Sequence, residues 1–66
     1  MQVVVNGEVR EVPDGATVEA LLRAVGLAGR PVAVERNLEI VPKSAHAATV
    51  LADGDRIEIV TMVGGG

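Results

Sequence analysis

The sequence predicts an α+β fold, a mixed β-sheet with one main helix packed on one face. Three observations lead there. Short runs rich in valine and isoleucine recur along the 66 residues, and β-branched residues favour strands. One segment, Val18 to Val25, carries apolar residues at helical spacing. The order is hairpin, helix, strand, short elements and final strand. A hairpin followed by a crossover helix and further strands makes a mixed sheet with the helix on one face.

Each element has its own signal. Gln2 to Val5 reads as a strand, and Asn6-Gly7 after it is the strongest short hairpin signal, because a type I′ turn needs positive φ at both central positions. Glu8 to Val12 alternates polar and apolar residues, as a half-buried partner strand does. Pro13-Asp14-Gly15 closes it as a turn. Thr17 is the expected N-cap, and Glu19 lies in the first turn, where the helix dipole favours acids. Val18, Leu21, Leu22 and Val25 form one apolar stripe, and Gly26 is the C-terminal stop. Two turns are marginal alone, so this helix needs a sheet to pack on. Val32 to Arg36 reads as a third strand. Asn37 reads as a turn, and Leu38 to Val41 as a short strand ended by Pro42. Ser44 to Ala48 is a candidate helical turn capped by Ser44. Thr49-Val50-Leu51 leads into the tight turn Asp53-Gly54-Asp55, and Arg56 to Val63 is the last strand. This is the β-grasp order, in which the first and last strands lie side by side at the centre of the sheet. Residues 1–63 make the domain, and residues 64–66 a flexible C-terminal glycine tail.

Composition narrows the function. Chains of this size bury only about 60% of the surface their unfolded form exposes, while pockets for small-molecule chemistry usually need about 300 Å³ or more. Size therefore argues against an autonomous enzyme. With no aromatic residue and no cysteine, the core must be aliphatic, packing alone must hold it, and the chain cannot carry sulfur as a persulfide. Net charge is −3, from 9 acidic and 6 basic side chains, and the basic residues are scattered along the sequence. With no basic stripe and no base-stacking aromatics, no nucleic-acid partner is expected. No signal segment and no membrane-spanning run is read, so a soluble cytoplasmic protein is expected, monomeric when free.

The ending Val63-Gly64-Gly65-Gly66 is the most informative stretch. Glycine takes backbone angles closed to other residues, so such a tail can thread a slot too narrow for side chains. An α-carboxyl is ionised at neutral pH, and an ionised carboxylate can attack the α-phosphate of ATP if another protein supplies the site. No lysine follows the glycines as a phosphate-cradling motif requires, so ATP must bind elsewhere.

Taken together, Val5-Asn6-Gly7-Glu8, Val34-Glu35-Arg36-Asn37 with Ile40-Val41-Pro42, Asp53-Gly54-Asp55 with Ile57-Glu58-Ile59-Val60, and the Val63-Gly64-Gly65-Gly66 ending resemble the ThiS family of ubiquitin-like sulfur carriers. The likeness covers essentially the whole chain. Lys43 stands where the family more often has arginine, which keeps the charge. The resemblance implies a protein co-substrate that is not itself an enzyme. An adenylating enzyme of the ThiF type would use ATP and magnesium to form an acyl-adenylate on Gly66. A sulfur donor protein would then convert it to a thiocarboxylate, and thiazole synthase would take the sulfur for thiamine. The alternatives are a related carrier serving molybdopterin, tRNA thiolation or cysteine synthesis, a protein modifier joined to target lysines, and a structural β-grasp interaction module whose glycines are incidental.

Two further readings concern the folded surface. If Ile57 and Ile59 face the helix, strand alternation puts Glu58, Val60 and Met62 on the other face, paired with Gln2 and Val4 of the first strand. Val4, Glu58, Val60 and Met62 then form a candidate partner-binding patch. His46, the only histidine, reads as a solvated residue of a surface turn. Asp53 and Asp55 read as turn formers, since a calcium loop needs a longer acidic pattern.

Overall fold

The computed structural model describes residues 1–62. Asn6 and Gly7 have φ of 50° and 84°, the paired positive values of a type I′ turn. They join β1 (Gln2–Val5) to β2 (Glu8–Glu11) in an antiparallel hairpin. Helix α1 (Val18–Ala24) follows, then β3 (Val32–Arg36), β4 (Glu39–Val41), a 3-10 turn at Lys43–Ala45, and β5 (Arg56–Thr61). The sheet order is β2-β1-β5-β3-β4. β1 and β5 run parallel at its centre, and the other pairings are antiparallel. The predicted mixed sheet with one main helix is therefore the observed architecture.

The helix is set by both its ends. The Thr17 hydroxyl accepts from the Ala20 N–H at 3.1 Å, which satisfies one of the amides left free in a first turn. Gly26, at φ 79°, turns the chain out of the helix. Its N–H donates to Arg23 O, and the Leu27 N–H donates to Leu22 O, the paired bonds of a Schellman motif. The predicted stripe faces the sheet, with Val18, Leu21 and Leu22 buried and Val25 half-buried. They meet Val3, Val5, Val34, Ile57 and Ile59 in an all-aliphatic core, closed by Val12, Val41 and Leu51.

Four local expectations are corrected. β2 stops at Glu11 and is exposed throughout. Arg10 and Glu8 lie opposite the buried Val3 and Val5, but β2 is the sheet edge and its side chains are open to solvent. Val9 lies on the open face, and Val12, just past the strand, is the buried residue. Leu38 is not in β4. It shares the β3–β4 turn with Asn37 at φ 70° and 51°, a second turn with two positive φ values. A leucine there costs about 1–2 kcal/mol of backbone strain, which is why a strand reads more naturally from sequence. The short helical turn begins at Lys43 with Pro42 at its cap, and no side chain caps it. β5 ends at Thr61, although the Met62 N–H still donates to Pro31 O at 2.9 Å. Among the described residues no helix is long and apolar enough to cross a membrane.

Candidate functional site

β5 organises the site because it leads to the glycine tail. Burial alternates along it from Arg56 to Val60 and ends at Thr61, which is exposed. Ile57 and Ile59 are buried under α1, while Arg56, Glu58, Val60 and Met62 are exposed on the opposite side of the sheet. The strand is held on both flanks, by β1 through Val4↔Arg56 and Val5↔Ile57 and by β3 through Val32↔Thr61 to Arg36↔Ile57. Where β1 ends, the Asn6 side chain continues the pairing: its amide nitrogen donates to Ile59 O and its amide oxygen accepts from the Ile59 N–H, at 3.1 and 2.8 Å. Asn6 thus serves the turn and carries the β5 ladder further towards the tail. Gly64, Gly65 and Gly66, the residues assigned to activation and sulfur attachment, lie outside the described residues.

The structure places the candidate patch residues as follows. Val60 and Met62 are 62% and 52% exposed, and Ala33 lies directly opposite Val60. Val4 is half-buried and lies level with Arg56, not with Val60. At roughly 3.3 Å per residue the two valines are separated by ~13 Å along the sheet. The expected pairing of Val60 and Met62 with Gln2 and Val4 is therefore corrected. The parallel register carries β5 past the end of β1, so the open face has two apolar ends, Val4 with Val9 and Val60 with Met62. Arg56 lies beside Val4, and Glu58 lies between the two ends.

Glu58 is directly opposite Glu35. Like charges in that position repel, at about 0.2–1 kcal/mol, and among the described residues neither acid has an ion-pair partner. Glu58→Gln is accordingly expected to raise stability by a few tenths of a kcal/mol, read as a higher urea midpoint by far-UV circular dichroism. A lower midpoint would show that the acidic pair is not adverse.

At the start of β5 lies a group that local sequence reading treats only as a turn. The Asp55 carboxylate is buried and accepts from the Ala52 N–H and Arg36 Nε, both at 2.7 Å, and from Asn37 Nδ2 at 3.0 Å. Burial pushes this carboxyl up. The Ala52 N–H, then Arg36 and Asn37, outweigh that and hold it below its ordinary value. Asn37 Oδ1 also accepts from the Arg56 N–H at 2.9 Å. The network ties the β3–β4 turn to β5 and holds Asn37, and with it Leu38, in left-handed backbone. Asp53 fixes the other flank by accepting from the Gln2 N–H at 2.8 Å.

His46 is buried, not solvated. Its Nε2 lies 3.1 Å from Val41 O; a carbonyl only accepts, so Nε2 carries the proton. The His46 carbonyl accepts from the Glu19 N–H, so the residue links the end of β4 to the start of α1. Among the described residues there is no cluster of three side chains suited to hold a metal.

Comparison with known proteins gives a consistent pattern. The model of the ThiS family matches residues 3–66. A sulfur carrier protein ThiS of Bacillus subtilis is 44% identical over 62 residues, covering 92% of this chain and 94% of that protein. A thiazole synthase of Paramagnetospirillum magneticum is 56% identical over 66 residues, all of this chain but 20% of the relative. One from Magnetococcus marinus is 42% identical with the same coverage. The chain thus spans about a fifth of the length of these two relatives. The crystal structure of a thiamine biosynthesis protein (ThiS) from Geobacter metallireducens superposes with a TM-score of 0.84 at 36% identity, over 100% of both chains.

Proposed function

Since this chain belongs to the ThiS family, we propose that it carries sulfur for thiamine biosynthesis as a thiocarboxylate on Gly66. The observation that carries this reading is the likeness to the B. subtilis sulfur carrier, 44% identity over nearly the whole of both chains. The chemistry follows from what a carboxylate lacks. It is a poor electrophile until it gains a leaving group. A Gly66 carboxylate oxygen attacks the α-phosphorus of ATP on a ThiF-type adenylating enzyme, and pyrophosphate leaves. Hydrosulfide released by the sulfur donor then attacks the carbonyl carbon of the acyl-adenylate, AMP leaves with the bonding electrons, and loss of the sulfur's proton leaves a thiocarboxylate. ATP and magnesium belong to the partner in this scheme. This chain contributes the tail and the surfaces that steer it.

The relatives of 56% and 42% identity are named thiazole synthases, which supports thiazole synthase as the recipient of the sulfur. The open face around Val60 and Met62, with Glu58 beside it, is the proposed docking surface for the enzymes that receive the tail. It lies on the strand that leads into residues 64–66. Apolar side chains exposed beside one another are a common mark of such contacts.

Intact-protein mass spectrometry tests the proposal. Incubation with ATP, magnesium, a ThiF-type enzyme and a sulfur donor is expected to add the mass of one oxygen-to-sulfur exchange, and removal of Gly66 is expected to abolish it. An AMP adduct that never gains sulfur would favour a modifier joined to lysines. No adduct with a demonstrably active enzyme would overturn the reading.

A further inference from the structure

The cations that look scattered in sequence are gathered by the fold. Three of the six basic residues, Arg23, Arg30 and Lys43, line one groove of about 240 Å³. They arrive from three places: the last turn of α1, the loop before β3, and the 3-10 turn after β4. Leu22 and Leu27 make its apolar wall, and the buried His46 closes one side. The wall is rigidly built. The Leu27 N–H is fixed by Leu22 O, the His46 N–H donates to Lys43 O, and His46 Nε2 holds Val41 O. Glu19 also lines the groove, and among the described residues Arg23 pairs with it alone, at 3.7 Å, a weak contact by its exposure, so cations outnumber acids there three to one. Among the described residues, Arg30 and Lys43 have no ion-pair partner.

The groove also has a telling position. Pro31 and Val32 belong to its lining. The Met62 N–H donates to Pro31 O, and Val32 pairs with Thr61. The groove therefore sits at the root of the tail, on the helix side of the sheet, away from the open face. The whole chain has a net charge of −3, which repels acidic partners in general, so this cationic spot is a local exception.

We infer that this groove receives an acidic, leucine-bearing segment of the activating enzyme, one that borders the slot taking the tail. The inference rests on the carrier reading above and deepens it. The apolar wall suits a leucine side chain, and the three cations suit carboxylates flanking it. Charge complementarity of this kind acts mainly on encounter and partner choice, so the groove determines affinity and leaves the chemical step alone.

Steady-state kinetics of adenylation, followed by pyrophosphate release, tests it. Arg30→Glu with Lys43→Glu is expected to raise KM for the chain about tenfold with kcat within twofold, and rising salt should raise KM for the wild type but not for this variant. Arg10→Glu, which reverses a cation outside the groove, should leave KM within twofold. If the double reversal fails to fold by circular dichroism, Arg30→Gln with Lys43→Gln replaces it, with KM expected to rise about threefold at low salt. Unchanged KM in a folded groove variant, or an equal rise from Arg10→Glu, would overturn the inference while the carrier reading stands. A wild-type chain that is never adenylated would overturn both.

Discussion

Replacing Ile57 by alanine is expected to destabilise the domain by about 3–4 kcal/mol. Ile57 is 0% exposed, on the central strand, and packed with Val3, Val18, Leu21 and Val34. Truncation removes three heavy atoms from a site that backbone pairing on both flanks keeps from collapsing, so the cavity term adds to the lost burial. A chain of 66 residues has total stability of ~3–10 kcal/mol, and with neither disulfide nor aromatic residue nothing else compensates. The variant should show a large drop in urea midpoint, or be unfolded outright, by far-UV circular dichroism. Val60→Ser, on the same strand but exposed, should move stability by no more than about 0.5 kcal/mol. Equal losses at the two positions would refute the division of β5 into a structural face and an open one. The contrast also matters for function, because only the open-face variant can report on partner binding without disturbing the strand that carries the tail.

Legibility of the fold followed the range of the interaction. Asn6-Gly7, the Thr17 cap and Gly26 were readable because each acts within a few residues: a positive φ, a hydroxyl three residues from its amide, a glycine that ends a helix. The alternation of β5 from Arg56 to Val60 was readable for the same reason. What failed depends on partners far away or on a backbone penalty that tertiary contacts offset. Asp55 looks like a turn residue, yet it is defined by Arg36 and Asn37, 19 and 18 residues distant. Leu38 takes a conformation that leucine disfavours because Asn37 beside it is held from two directions. The β1–β5 register, which separates Val4 from Val60, is a property of two strands at opposite ends of the chain. His46 was within reach: its acceptor is only five residues away, and a lone polar ring between alanines is a signal for a buried hydrogen bond. The cationic groove was not, since Arg23, Arg30 and Lys43 share no periodicity and meet only through the crossover.

Asp55 leads to the second large effect. Asp55→Ala removes the acceptor of three hydrogen bonds and is expected to cost about 2–4 kcal/mol, towards the low end because Arg36 is partly exposed and regains water. Asp55→Asn keeps the shape and loses the charge, which isolates the ionic part. Its pH dependence has a definite sign. The folded-state pKa lies below the ordinary value, so the folded protein holds this proton less tightly than the unfolded chain. The contribution is then fully present above the unfolded-state pKa of about 3.9 and is lost as pH falls through the folded value. The stability gap between wild type and Asp55→Asn should be constant from about pH 7 to pH 5 and shrink below about pH 4, as read by urea unfolding at each pH. A gap that persists unchanged into strong acid would mean that the carboxylate's charge contributes nothing and that only its shape matters. Because the same network fixes the start of β5 and the β3–β4 turn, its loss should free that end of the strand, while the Asn6 and Pro31 contacts still hold the end that leads to the tail. A folded Asp55→Asn variant is therefore expected to lose stability at neutral pH and still be adenylated at the wild-type rate, which separates the residue that holds β5 from those that present the tail.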